Sequence, residues 1–157
     1  MASETPDAHE ASCIFCRIVR GEAQASVAYE DDRAVAFMDI QPLSRGHLLV
    51  VPRLHAADLF ALPDPLAAHL FVVTRRLALA LRESHHPDGI NVVQSNGRAA
   101  GQVVFHLHIH VIPRSLEGGG PRLGWHRMSP APTRAELEED AARIRAAARN
   151  LPPSRFR

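Results

Sequence analysis

The stretch Phe105-His106-Leu107-His108-Ile109-His110-Val111-Ile112-Pro113-Arg114 alternates three histidines with apolar residues. Side chains on a β-strand point to its two faces in turn, so a period of two predicts a strand with unlike faces. We expect the apolar residues from Phe105 to Val111 to face a core. The three histidines, His106, His108 and His110, then form a row on the other face. Because a solvated face more usually carries Lys, Glu or Thr, this row indicates a functional site.

Distances along a strand limit what the row can bind. Residues two apart lie about 6.6 Å apart and residues four apart about 13 Å, whereas imidazole nitrogens bind zinc at about 2.0–2.1 Å. One metal ion could join two neighbours but hardly all three, so at least one histidine has another role. A neutral imidazole can act as nucleophile, base or acid near pH 7. A structural metal site and a chance His-rich surface are the alternatives.

Composition limits the domain organisation and the partners. The chain has 157 residues, enough for one domain with a proper core. Its formal charge of +1 argues against a general nucleic-acid-binding surface. All 18 basic residues are Arg, so no Lys can serve as nucleophile or base. A Cys pair without a secretory signal or a long apolar run predicts a cytoplasmic protein with reduced thiols and no membrane partner.

Local patterns predict a single α+β domain over residues 12–150, between a disordered tail at 1–11 and a short tail at 151–157. Strands are expected at 27–30, 34–39, 46–52 and 90–94, besides the histidine stretch. Helices are expected at 13–20, capped by Ser12, at 65–84 from the spacing of Leu and Val, and at 133–149. The last of these opens on Thr133-Arg134-Ala135-Glu136, a capping-box pattern.

Further segments accompany the histidine row in a fixed order: Cys13-Ile14-Phe15-Cys16-Arg17-Ile18, Tyr29-Glu30-Asp31, Phe37-Met38-Asp39-Ile40-Gln41-Pro42, Gly46-His47-Leu48-Leu49-Val50-Val51-Pro52-Arg53-Leu54-His55, Gly89-Ile90-Asn91, Asn96-Gly97 and Ala100-Gly101-Gln102. With them the chain resembles the histidine triad (HIT) family of hydrolases, in its bacterial Hint-like branch. The resemblance implies an antiparallel sheet of about five strands with a long helix and a C-terminal helix. It also implies a homodimer, with the helix at 66–81 and the strand at 89–94 at or near the contact.

The resemblance implies a reaction at phosphorus. His108, at the centre of the row, is implied as the nucleophile that carries a transient nucleotidyl-histidine, with His110 assisting the leaving group or the incoming water. Gln102 and nearby amides would donate hydrogen bonds to the phosphoryl oxygens, and Asn96 would contact the phosphate or leaving-group side. Many family members carry Ser or Thr where this chain has Val103. A hydroxyl donor is therefore missing, and the backbone amide is the substitute.

The expected substrate is a purine nucleoside monophosphate joined to an amine, an acyl group or another phosphate. The two carboxylate oxygens of Asp39 suit the two ribose hydroxyls, although a turn residue before Pro42 is the simpler interpretation. His47 is free to hydrogen-bond near the row. An apolar slot for the base could be formed by residues that, taken singly, more often belong to a core: Ile14, Phe15, Phe37, Ile40 and Leu49.

Cys13 and Cys16 have the spacing of a zinc knuckle but need two further ligands. His55 and His106 are the best candidates, and some bacterial HIT proteins use such a set, which implies a closed, structural zinc site. A redox pair and two buried thiols are the alternatives. The other histidines have no expected partner: His9, His69, His85, His86 and His126.

Two further functions stay open on the sequence alone. One is a zinc enzyme in which His106, His108 and another His hold a metal that activates water. The other is a nucleotide-binding regulatory protein with little turnover.

Overall fold

The computed structural model describes residues 8–117 and 124–152 of the chain. Its elements are α1 (Ala8–Ser12), α2 (Ile14–Val19), β1 (Val27–Glu30), β2 (Ala34–Met38), β3 (Leu48–Pro52), α3 (Asp64–His85), β4 (Gly89–Gln94), β5 (Ile109–Arg114) and α4 (Arg134–Asn150). Short 3₁₀ turns at Leu59–Ala61 and Arg98–Ala100 precede α3 and follow β4. None of the helices in these described residues has the length and apolar character of a membrane span.

The strands form one antiparallel sheet in the order β1-β2-β3-β5-β4. The β1–β2 hairpin turns at Asp31, whose Oδ1 accepts hydrogen bonds of 2.8 Å from the backbone N–H groups of Arg33 and Ala34. The order leaves β1 and β4 at the edges of the sheet. The strand that carries His110 is therefore an inner strand, held between β3 and β4.

The two faces of the sheet are covered differently. On one face α3 and α4 pack buried side chains such as Leu70, Leu77 and Ile144 against the strands. On the other face a smaller apolar cluster includes Phe15 of α2 with Phe37 and Leu49. Because cross-strand neighbours share a face and His110 pairs with Leu49, His110 lies on the face covered by α2. This arrangement leaves space for a site between α2 and the sheet.

The predicted sheet and helices are confirmed, with small changes at their ends. The C-terminal helix opens with the predicted capping box: Thr133 Oγ1 accepts from the Glu136 N–H at 3.3 Å, and Glu136 Oε2 accepts from the Thr133 N–H at 2.8 Å. Such a box satisfies backbone donors that the helix itself leaves without partners. It therefore fixes where α4 begins.

The prediction that the whole histidine stretch is a strand is wrong at its beginning, because β5 starts only at Ile109. Phe105 does not face the core: it is 39% exposed, and the guanidinium of Arg98 lies 5.5 Å from the centre of its ring. Leu107 is buried as expected, but its N–H donates to the Ala56 carbonyl at 2.7 Å, outside the sheet. This loop contact replaces strand pairing at the start of the stretch.

Two differences concern the N-terminal region. Helix α1 overlaps the segment where a disordered tail was expected, while residues 1–7 lie outside the described residues. Ser12 is the last residue of α1 and not the cap of α2; Cys13 holds the N-cap position and makes no side-chain cap bond. At the other terminus, α4 is capped at Leu151, and residues 153–157 are outside the described range.

Candidate active site

The histidine row reaches the site in two ways. His110 comes from β5, where it pairs with Leu49 and Val93, and His106 and His108 come from the extended segment just before it. The rings of His108 and His110 lie with their centres 4.9 Å apart. Neighbouring histidines of the row are thus close enough to act on one small group.

Backbone hydrogen bonding determines which nitrogen of His108 is free. Its Nδ1 lies 2.8 Å from the carbonyl oxygen of His106. A carbonyl oxygen only accepts, so Nδ1 must carry the hydrogen and Nε2 keeps its lone pair. Within the described residues Nε2 has no hydrogen-bond partner. His108 therefore presents an unprotonated nitrogen to the neighbouring cavity, whose wall it forms.

A chain of hydrogen bonds likewise orients His47 and His110. The Leu43 N–H donates to Nδ1 of His47 at 3.1 Å, so His47 carries its hydrogen on Nε2. That Nε2 lies 3.0 Å from Nδ1 of His110 and donates to it. The hydrogen of His110 is consequently on Nε2. His110 is a donor beside the lone pair of His108, which is a suitable pair for a phosphoryl group.

Burial keeps these imidazoles neutral. It lowers the pKa of His110 to about 3, with the neighbouring His108 and His47 acting in the same direction. Burial also lowers the pKa of His108 and of His47, against the opposing charge of Asp39. Desolvation disfavours the charged ring, so all three are unprotonated bases at neutral pH. This is the state that a nitrogen nucleophile needs.

The row opens into a cavity of about 380 Å³. One part of its lining is apolar and contains all five of the residues expected to hold a base: Ile14, Phe15, Phe37, Ile40 and Leu49. Phe15 and Phe37 meet edge to face with ring centres 5.3 Å apart. We call this part the base slot. The size and the apolar wall suit a planar ring.

The other part of the lining is polar and includes Asp39, His47, His108 and His110. Asp39 Oδ1 accepts from the Gln41 N–H at 2.8 Å, and Oδ2 lies 3.6 Å from His47 Nε2. Asp39 is therefore both a turn residue and a residue of the cavity wall. Its carboxylate lies close to ring nitrogens of His47 and His110.

The three residues predicted to contact the phosphate do not all line the cavity. Gln102 does not line the cavity: its amide donates to the carbonyls of Ala57 and Val104 at 2.6 and 3.1 Å, and its Oε1 accepts from the Gly97 N–H at 2.8 Å. In this structure the side chain shapes the loop that precedes the histidines.

The other two predicted contacts, Asn96 and Val103, belong to the same loop. Asn96 is also outside the lining, bonded to Gln94 and to the Leu59 N–H. Val103 is 83% exposed and lines the cavity. Its backbone N–H has no partner within the described residues and remains available to a ligand.

The four predicted zinc ligands come together. Ligand atoms of Cys13, Cys16, His55 and His106 all lie within 4.8 Å of one another. Cys16 Sγ is 3.2 Å from His55 Nδ1 and 3.4 Å from His106 Nδ1, and Cys13 Sγ is 3.6 Å from His106 Nδ1. A tetrahedral zinc with ordinary Zn–S and Zn–N bonds places sulfur and nitrogen about 3.6 Å apart. The donor set and its spacing fit zinc.

The environment of His106 supports this fit. Its Nε2 lies 2.9 Å from the Pro52 carbonyl, so the hydrogen is on Nε2 and the lone pair of Nδ1 points to the two thiols. Burial lowers the pKa of His106 to about 4, which keeps the ring neutral. Burial raises the pKa of the Cys16 thiol to about 12, and a hydrogen bond with the Cys13 side chain acts in the same direction. A bound zinc would reverse that preference and hold a thiolate.

Sequence analysis missed cavity residues that follow the matched motifs. Trp125, Arg127 and Arg134 line the cavity, and the Trp125 ring meets that of His110 with centres 5.2 Å apart. Trp125 is the single tryptophan of the chain, which was the one available signal. The two arginines carried none, because Arg is the only basic residue type in the chain and occurs throughout it.

Two histidines without an expected partner have one. His69 Nε2 lies 2.8 Å from Asp31 Oδ2, next to the β1–β2 turn. His85 Nε2 lies 3.3 Å from Asp140 Oδ1 of α4, which also binds Arg45. The first contact joins α3 to the β1–β2 turn, and the second joins α3 to α4.

Similar proteins are known for most of this chain. A sequence model described as the HIT domain matches residues 20–116. The adenosine 5′-monophosphoramidase HNT1 of Candida albicans is 41% identical over 122 residues, which is 75% of this chain and 80% of the relative. The adenylylsulfatase HINT3 of Arabidopsis thaliana is 41% identical over 102 residues, or 65% of this chain and 52% of the relative.

Among solved structures, a zinc-bound histidine triad family protein from Mycobacterium smegmatis superimposes with a TM-score of 0.77 at 41% identity. The match covers 89% of this chain and 95% of that protein. The superimposed part includes the antiparallel sheet, the long helix and the C-terminal helix. A bacterial relative with bound zinc is therefore similar over nearly its whole length.

Proposed function

This chain belongs to the HIT (histidine triad) family, and from that premise we propose that it is a nucleotidyl hydrolase. It cleaves purine nucleoside monophosphates from amine, acyl or phosphate leaving groups through a nucleotidyl-histidine on His108. One observation carries the proposal. The Nε2 lone pair of His108 faces a cavity with an apolar slot, while its Nδ1–H is held by the His106 carbonyl. Two relatives bear the names of enzymes that release AMP from nitrogen and from sulfate.

The reaction runs in two displacements. Nε2 of His108 attacks the phosphorus and forms an N–P bond, while the bond to the leaving group breaks and its electron pair departs with that group, which takes up a proton. Water then attacks the same phosphorus and releases the nucleoside monophosphate, its proton passes to solvent, and His108 regains its lone pair. Splitting one difficult substitution into two easier steps is the advantage of a covalent intermediate.

Two neighbours stabilise charge during these steps. When His108 carries the phosphoryl group its ring is cationic, and the hydrogen bond from Nδ1 to the His106 carbonyl becomes stronger. His110 donates its Nε2–H to a phosphoryl oxygen, held in that orientation by His47. The free N–H of Val103 is a second donor to the oxygens, in the position where a hydroxyl is absent.

The nucleoside is held by the rest of the cavity lining. The base enters the slot and packs against Phe15 and Phe37, whose rings contact each other edge to face, and the ribose hydroxyls donate to Asp39. Gln102 and Asn96 act on the phosphate through the shape of their loop, since their own side chains are bonded within it. In this proposal the purine lies in the apolar slot, the phosphoryl group lies at His108 and His110, and the ribose lies at Asp39 next to His47.

The direct test is turnover of adenosine and guanosine 5′-phosphoramidates by the wild type and by His108→Ala. We expect a loss of about a thousandfold or more, with nucleotide binding retained. Mixing with α-phosphorus-labelled substrate should also leave acid-labile label on the wild type only. His86→Asn is the matched control, because His86 is exposed, outside the cavity, and has a left-handed backbone that Asn tolerates. If His108→Ala keeps more than a tenth of the wild-type activity, His108 is not the nucleophile.

We further propose that Cys13, Cys16, His55 and His106 hold one structural zinc. All four positions of a tetrahedral ion are then filled by protein, which leaves no place for a substrate or an activated water. His108 belongs to no cluster of potential ligands in the described part of the chain. This favours the histidine nucleophile over a zinc enzyme that uses His106 and His108 together.

The remaining assignments stay predictions. A homodimer is supported by the free edge of β4, where Val92 is 43% exposed, and by Phe71 on α3, which is 64% exposed. A regulatory nucleotide-binding protein with little turnover is the second candidate, and slow hydrolysis with tight monophosphate binding would favour it. The cytoplasmic location rests on the reduced thiols that the zinc site needs.

A further inference from the structure

Arg134 is the first residue of α4, and it lies beyond the matched HIT region while lining the cavity. Its Nη1 donates to Ser26 Oγ at 3.3 Å. Ser26 is completely buried, and its carbonyl accepts from the Met38 N–H at 3.0 Å. Ala25, next to Ser26, and Phe37, next to Met38, both line the cavity. The guanidinium is thus anchored at the base slot.

The position of Arg134 is fixed from both ends. Its backbone follows Thr133, which the capping box holds in place. Its side chain is tied to a buried serine at the end of the sheet. A flexible surface arginine would lose conformational freedom on binding a ligand, whereas this one has already lost part of it. Such an anchored side chain is suited to recognition.

The charge of Arg134 has no evident structural use. Within the described residues it forms no ion pair with a carboxylate, and a cation in the first turn of a helix is unfavourable to the helix dipole. The bond to Ser26 occupies only Nη1. The hydrogens on Nε and Nη2 remain, and these form the fork with which arginine binds two adjacent acceptors.

We propose that Arg134 reads the base and makes the site selective for guanine over adenine. The inference rests on the proposed nucleotide site. With the ribose at Asp39 and the base in the slot, the proposal puts the purine edge that carries the C6 substituent and N7 against Arg134, which lines the same cavity. Guanine presents two acceptors there, O6 and N7, and adenine presents one acceptor and the N6 amino donor. A donor-only guanidinium makes two hydrogen bonds with guanine and at most one with adenine.

Binding of GMP and AMP, measured by calorimetry, tests the inference independently of turnover. We expect the wild type to bind GMP roughly 5- to 150-fold more tightly, the range that a bidentate arginine contact gives. Arg134→Gln should reduce or invert this ratio, because Gln pairs with the N6 and N7 of adenine. Arg149→Gln is the matched control: it removes one positive charge from the exposed last turn of the same helix, outside the cavity, and should leave the ratio within about twofold.

The outcomes separate the two proposals. A GMP preference that Arg134→Gln abolishes, together with absent phosphoramidase activity, would support base reading and disprove the hydrolase. Equal binding of GMP and AMP by an active wild type would overturn base reading alone. A ratio unchanged in Arg134→Gln would do the same and leave Arg134 as an anchor of α4, and no binding of either nucleotide would overturn both. Melting temperatures show that each variant is folded, and Arg134→Lys, with a single donor head, should fall between the wild type and Gln.

Discussion

Replacing Asp140 by Asn tests how the C-terminal helix is attached to the rest of the domain. Asp140 lies on α4, is 1% exposed, and accepts from Arg45 Nε at 2.7 Å and Nη2 at 2.9 Å. Arg45 belongs to the loop between β2 and β3. His85 at the end of α3 lies 3.3 Å from the same carboxylate. One buried charge therefore joins two helices and the loop that leads to His47.

The size of the effect follows from the pKa of Asp140. Burial would raise it, but hydrogen bonds from His85 and Arg45 and the charge of Arg45 win and lower it to about 2. At about 1.4 kcal/mol for each unit below the ordinary value, the ionised form adds about 2 kcal/mol to the free energy of unfolding. Because the folded pKa is the lower one, this contribution is complete above about pH 5 and is lost as the pH falls toward 2.

Urea unfolding of the wild type and Asp140→Asn should therefore differ by about 2 kcal/mol at pH 7 and by about half as much near pH 3. The control is Glu139→Gln on the exposed side of the same helix, for which we expect a change of at most about 0.5 kcal/mol. A difference between wild type and Asp140→Asn that is the same at both pH values would refute the electrostatic explanation.

Three further predictions concern the zinc site, the ribose site and the dimer. Cys16→Ala should abolish stoichiometric zinc in protein purified without chelator and lower the melting temperature, whereas a zinc-free wild type of unchanged melting temperature would exclude the site. Asp39→Ala should weaken binding of GMP and AMP more than binding of their 2′-deoxy forms, by about fivefold or more for one lost charge-assisted bond; equal losses would remove Asp39 from the ribose site. Sedimentation should show a dimer at micromolar concentration that Val92→Arg, at the free edge of β4, converts to a monomer; a monomeric wild type would disprove it.

Patterns with a strong local cause were predictable from the sequence. The capping box at Thr133 and Glu136 fixed the start of α4, because both bonds of the box are formed within one helical turn. The turn at Asp31 was equally local. The set of four zinc ligands was predicted with the help of the resemblance, and the structure brings their ligand atoms together.

Features that depend on contacts between distant segments were not predictable in this way. The alternation around Phe105 has the period of a strand, but the carbonyl of Ala56, from a different loop, binds the Leu107 N–H in place of a strand partner. Arg134 is 108 positions from Ser26 in the sequence, and nothing local marks their hydrogen bond. Gln102 was expected to face the phosphate because its type suits that role, and only the fold shows that the loop uses all of its hydrogen-bonding groups.

The protonation pattern of the histidines has a consequence for which substitutions the protein tolerates. Main-chain atoms of three residues set the pattern: the N–H of Leu43 and the carbonyls of Pro52 and His106. Every amino acid supplies such a carbonyl, and every one but proline supplies the N–H. Substitutions at positions 43 and 52 therefore do not by themselves change which nitrogens of these histidine rings carry hydrogen. The exception is Leu43→Pro, which would remove the N–H that donates to Nδ1 of His47. The hydrogen shared by His47 Nε2 and His110 Nδ1 could then reside on either ring.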